Sequence, residues 1–77
     1  MTQNMSDPKP RTWQGKVPSM CEMTGEQITD CFIDGANRAG QWCIMSPAGH
    51  MAYGRGLGTG KGQEYTLVAG KWVKTRG

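Results

Sequence analysis

The chain alternates between short apolar runs and stretches dominated by glycine, proline and polar side chains. Cys31-Phe32-Ile33-Asp34 and Gln41-Trp42-Cys43-Ile44-Met45 are runs rich in β-formers. Gly35 to Gly40 between them supplies Gly and Asn for a loop, so the pair predicts a hairpin. Ser46-Pro47 stops the second run. With Ser46 as N-cap and Pro47 at the first helical position, a short helix is predicted over Ala48 to Tyr53, ended by Gly54. The nine residues from Gly54 to Gly62 hold five glycines. Glycine is entropically costly to order, so this segment predicts a loop. Glu64 to Val68 and Lys71 to Thr75 then flank Ala69-Gly70, which predicts a second hairpin with Tyr65, Leu67 and Trp72 on one buried face. Trp42, Tyr65 and Trp72 are the expected aromatic core.

Upstream the pattern changes. Residues 1–19 hold Pro8, Pro10 and Pro18, and only Trp13 and Val17 as bulky apolar side chains. Pro8 and Pro10 bias the residues before them to extended geometry, which predicts an arm rather than a helix. Trp13 is its expected anchor on a partner. The fold expected is a small mixed α+β domain, mostly β. It comprises two β-hairpins, one short helix and a Gly-rich loop in residues 20–77, with the extended N-terminal arm at 1–19.

Length sharpens this picture. Seventy-seven residues allow one domain and one thin core, too little to wall off a deep catalytic pocket. An enzyme is therefore not expected. No apolar run reaches the length of a membrane span. Lys9 and Arg11 precede no apolar stretch, so a signal peptide is not expected, and synthesis in the cytosol follows. In that reducing setting the three cysteines, Cys21, Cys31 and Cys43, are expected as thiols or metal ligands rather than bridges.

The net charge of +3 is unevenly spread, with +2 on residues 1–19, −3 on 20–40 and +4 on 41–77. The basic end nominates Arg55, Lys61, Lys71, Lys74 and Arg76 for contact with phosphate or an acidic protein face. Ordinary solubilising charge is the plainer reading. The Gly-rich loop fails as a Walker A motif, because Arg55 stands where the first glycine belongs and Gly62 where the Ser or Thr belongs. A strand–GxGxxG–helix unit is equally lacking. Backbone N–H groups between Arg55 and Lys61 could still cradle an anion, against the alternative that the glycines serve close packing.

Cys21, Cys31, Cys43 and His50 have the right number and types for a tetrahedral zinc site, but no C-x₂-C knuckle. Small buried hydrophobes and a surface histidine are the alternative. His50 has no acid nearby in sequence to orient it, and Cys21 and Cys31 sit beside Glu22 and Asp30, so nucleophilic chemistry is not expected.

From Cys21 onward the chain resembles a group of short bacteriophage proteins of uncharacterised function. The matching residues are Phe32 to Gly35, Trp42, Met45, His50, Tyr53-Gly54, Gly56 to Gln63, Tyr65 and Lys71 to Lys74. The segment GLGTGKGQ is the most specific part. The resemblance implies a zinc-ribbon-like fold whose front half would carry two C-x₂-C pairs. The matching ligand positions here are Cys21, Thr24, Ser46 and Gly49, of which one is a cysteine, so the site is degenerate and no cofactor is expected. Loss of a structural zinc removes a large folding contribution, which a partner surface, an oligomer or a lattice could replace.

Two functions follow as expectations. One is a virion-associated structural protein that decorates or cements a capsid, made in the host cytoplasm and binding a protein lattice or copies of itself. The other is a small phage regulator that binds nucleic acid or a host protein through the basic C-terminal half.

Overall fold

The computed structural model describes residues 11–77. Pro8 and Pro10, on which the expected arm partly rests, lie outside the described residues. The elements run β1 (Cys31–Ala36), β2 (Trp42–Met45), α1 (Pro47–Tyr53), β3 (Gly62–Val68) and β4 (Lys71–Arg76). They form a small, mostly β domain: a four-stranded sheet in the order β2-β1-β3-β4, with every neighbouring pair antiparallel and one short helix.

Local chemistry accounts for each turn. Asn37 closes the β1–β2 loop: its side-chain oxygen accepts from Ala39 N (2.9 Å) and Gln41 N (3.0 Å), and its backbone N–H donates to Gln41 O. The two-residue β3–β4 turn holds Ala69 at φ 51° and Gly70 at φ 79°, the left-handed pair that suits the twist of a tight hairpin. Ser46 caps α1 as expected, its hydroxyl accepting from Gly49 N at 3.0 Å, with Pro47 at the helix start. Gly54 follows the helix and donates to His50 O. A side chain at Gly54 would strike the His50 ring. The strands are longer at the glycine ends than the sequence pattern marks, because Gly35 and Gly62 pair directly across β1 and β3. A Cβ on Gly35 would come within 2.8 Å of Gly62 Cα, so bare backbone is required at that crossing.

Central strand β1 is covered on both faces. Phe32 and Tyr65 are partners on one face, stacked at 5.4 Å and 18°. Trp13 meets both edge-on, at 5.0 Å and 5.2 Å, and Trp72 lies 5.1 Å from Phe32, with Ile28 and Ile44 completing the cluster. The opposite face carries Ile33, its partner Met45, and α1. Sheet alternation puts successive β1 residues on these two faces.

Two expectations about the core are corrected here. Trp13 is not a free anchor. Arg11 O accepts from Lys74 N, Thr12 bridges Val73, and Trp13 N donates to Trp72 O, so residues 11–13 add a short strip to the outer edge of β4. That pairing carries the indole onto Phe32. Residues 11–13 of the expected arm are thus joined to the sheet. Trp42, expected in the core, is 50% exposed. It pairs with Ala36 at the end of an edge strand, beyond the reach of the aromatic cluster, and its indole N–H donates to Asp34 at 2.7 Å. Tyr65 is buried and Trp72 half-buried as expected, whereas Leu67 on the same face is 41% exposed.

Candidate functional site

The four positions matched to zinc ligands by the resemblance converge. A Cβ placed on Gly49 would lie 2.6 Å from Cys21 Sγ, 3.1 Å from Ser46 Oγ and 3.5 Å from Thr24 Cγ2. Each side of this cluster is built by a tight turn. On one, Gly25 N donates to Cys21 O, Cys21 N to Glu26 O, and Met20 bridges Gln27. On the other, Ser46 to Gly49 is the capped first turn of α1. Hydrogen bonds link the turns: Ser46 Oγ donates to Glu26 Oε1 at 2.7 Å, and Ile44 N donates to Glu22 Oε1 at 2.6 Å. Glu22 and Glu26, which the sequence presents only as charge, therefore tie the front loop to β2 and to the helix start.

Cys21 sits at the centre of this knot and is 2% exposed. Burial raises its pKa, but hydrogen bonds from Thr24 and from the Ser46 and Met23 backbone outweigh it and hold the thiol at about 7. Ser46 has a single hydroxyl proton, and geometry gives it to Glu26. The Thr24 hydroxyl and the backbone N–H groups are then the donors that stabilise the thiolate. Burial pushes the thiols of Cys31 and Cys43 up instead.

The alternative zinc set, Cys21, Cys31, Cys43 and His50, does not converge. Cys43 pairs with Gly35 and Cys31 with Thr66, so the two cysteines stand about 13 Å apart along β1 at the ordinary rise per residue. His50 Nε2 is 2.8 Å from Gly56 O and serves the Gly-rich loop. Among the described residues no group of three or more His, Cys, Asp or Glu side chains is arranged to hold a metal ion. All three cysteines are free thiols.

The cations nominated from the C-terminal half do not form one footprint. Lys71 lies at the β3–β4 turn and Arg76 at the opposite end of β4. Arg76 is also engaged: it forms a bidentate pair with Glu64, at 3.0 Å and 2.6 Å, and Thr75 Oγ1 donates to the same carboxylate at 2.7 Å. Those bonds, Arg76 foremost, hold the Glu64 carboxyl at about 2. Lys74 is half-buried on the Tyr65 face. Arg55 and Lys61 remain exposed at the Gly-rich loop. That loop is closed on itself, since Gly58 N donates to Gly62 O, while Lys61 N and Gly62 N donate to Gly58 O. These three N–H groups are therefore spent within the loop.

Two shallow grooves mark the surface of the described residues. One of about 350 Å³ runs beside α1, lined by Ile33, Pro47, His50, Met51, Leu57 and the Glu64–Arg76 pair. Another of about 260 Å³ lies between Lys16 to Met20 and Ile44. Among the described residues no helix is long and apolar enough to cross a membrane. Compared with known proteins, the chain matches no family model, no curated protein and no solved structure.

Proposed function

We propose that this protein is a non-enzymatic binding module that acts as a virion-associated structural component, decorating or cementing a protein lattice. One observation carries the reading. Among the described residues the large apolar side chains that are buried are Ile28, Phe32, Ile33, Met45 and Tyr65, while Val17, Met20, Trp42, Met51, Tyr53, Leu67 and Val68 stand exposed. Scattered single exposures are ordinary, but a domain that exposes more large apolar side chains than it buries has surface that a protein partner would desolvate. Met51, at 83% exposure on a short helix, and Met20, at 57%, are adaptable contact residues. Protein contact accounts for the exposed methionine and aliphatic side chains better than a polyanion does, since phosphate seeks charge. Quantitative mass spectrometry of purified phage particles tests the reading. Many copies per particle are expected; a chain present in infected cells but missing from particles overturns it.

A further inference from the structure

From Gly35 to Gln63 the chain contains no aspartate or glutamate, yet it carries Arg38, Arg55 and Lys61. The fold gathers these three at one end of the sheet. Asn37 bridges Gly54, which brings Arg38 and Arg55 onto adjacent backbone segments, and Arg38 N donates to Tyr53 O. Ala36 N donates to Lys61 O, which fixes the third cation beside the same strand end. A Cβ on Gly56 would lie 3.9 Å from Lys61 Cδ, so the lysine stem runs along the residue after Arg55. All three side chains are exposed, and among the described residues none is paired with a carboxylate, the ion pair present being Arg76–Glu64. The acidic side chains Glu22, Glu26 and Asp30 belong to the front loop before β1, and Asp34 is engaged by the Trp42 indole. Tyr53, 45% exposed, lies two residues before Arg55, and its carbonyl accepts the Arg38 N–H.

We infer that this rim, Arg38, Arg55 and Lys61 with Tyr53, binds the phosphate backbone of a nucleic acid strand. Three unpaired cations on adjoining turns offer positive charge to a phosphate backbone, and no carboxylate on those turns repels them. An exposed tyrosine among them offers a face on which a base can stack. This goes beyond the lattice reading and uses a different surface from the exposed methionines, so either can fail alone. It also differs from the whole basic C-terminal half, because Lys71, Lys74 and Arg76 take no part.

Fluorescence anisotropy with a short labelled DNA strand, titrated at several salt concentrations, tests the inference on the full chain. Arg38→Ala, Arg55→Ala and Lys61→Ala combined should weaken binding by about tenfold or more and lower the slope of log K against log salt by about 2. A charge-matched control, Lys16→Ala, Lys71→Ala and Lys74→Ala combined, removes as much formal charge and should retain most of the affinity and slope. Circular dichroism confirms that each variant is folded, and Tyr53→Ala alone should weaken binding at all salt concentrations. The inference is overturned if the parent does not bind at low salt. It fails equally if the rim variant binds like the parent, or if the control loses as much as the rim variant.

Discussion

The two faces of the sheet are held by different physics. On one, four aromatic rings from three distant parts of the chain, Trp13, Phe32, Tyr65 and Trp72, pack edge-on and stacked at centroid distances of 5.0–5.4 Å. On the other, Ile33 and Met45 are buried under a seven-residue helix, with an exposed ion pair at the margin. Aromatic pairs contribute beyond the area they bury, whereas a surface ion pair contributes little. The aromatic face therefore stabilises the fold most, and the helical face is the more adaptable.

The largest effects should arise on the aromatic face. Phe32 is fully buried and touches all three partner rings. Phe32→Ala should cost ~3–5 kcal/mol, most of the stability of a domain this small. Trp13→Ala should cost about 2–4 kcal/mol, because the ring is half-buried and its backbone strip remains. Trp42→Ala, which removes a ring of similar size from an exposed edge, should stay within about 1 kcal/mol. Urea unfolding of the three variants ranks them. If Trp42→Ala proves as costly as Trp13→Ala, the division between core and edge fails.

This contrast also shows what the sequence can carry. Both hairpins, the helix and its cap were legible, because Ala69-Gly70, Asn37, Ser46-Pro47 and Gly54 act through contacts a few residues long. The place of Trp13 was not, since it depends on pairing with β4 at the far end of the chain. Alternation marked Trp42 as apolar but could not say that its strand would be an edge. The residue types alone gave no sign that Cys21, Thr24, Ser46 and Gly49 would meet, because Thr, Ser and Gly carry no ligand signature. Arg38 was hidden for a related reason: along the chain it groups with an acidic segment, and only the Asn37–Gly54 bridge moves it to the basic one.

The hydrogen-bond knot at the helix start gives an intermediate, pH-dependent effect. An ordinary thiol titrates near 9.0, and Cys21 is held at about 7 in the folded chain. Between those values the unfolded state binds more protons, so folding stability should rise from pH 7 to pH 9 by on the order of 2 kcal/mol. Cys21→Ala should flatten that rise. Chemical denaturation at several pH values measures it, and a parent chain whose stability is level or falling across the window contradicts the thiolate assignment. Since the other matched positions are Thr24, Ser46 and Gly49, a chelator should leave the melting temperature unchanged in protein purified without added zinc.

The smallest effect belongs to the margin of the helical face. Arg76 and Thr75 hold the Glu64 carboxyl at about 2, against an ordinary 4.5, and the pair borders the groove beside Ile33 and Met51. A carboxylate depressed in the folded state stabilises it above the ordinary value, and that contribution is lost as pH falls from about 4.5 toward 2. Water reaches the guanidinium freely, which screens the interaction, so the loss should be smaller than any change above. Glu64→Gln keeps a neutral acceptor for Thr75 but cannot charge-pair with Arg76, and should remove this part of the acid sensitivity while leaving stability at pH 7 only slightly lower. Amide chemical shifts read the two faces separately during acid titration. Thr75 and Arg76 should move in the parent and stay still in the variant, while the indole signals of Trp13 and Trp72 move in neither until the chain unfolds. Simultaneous movement of the indoles with Arg76 at the first step would mean that the two faces are one cooperative core, and the comparison between them would collapse.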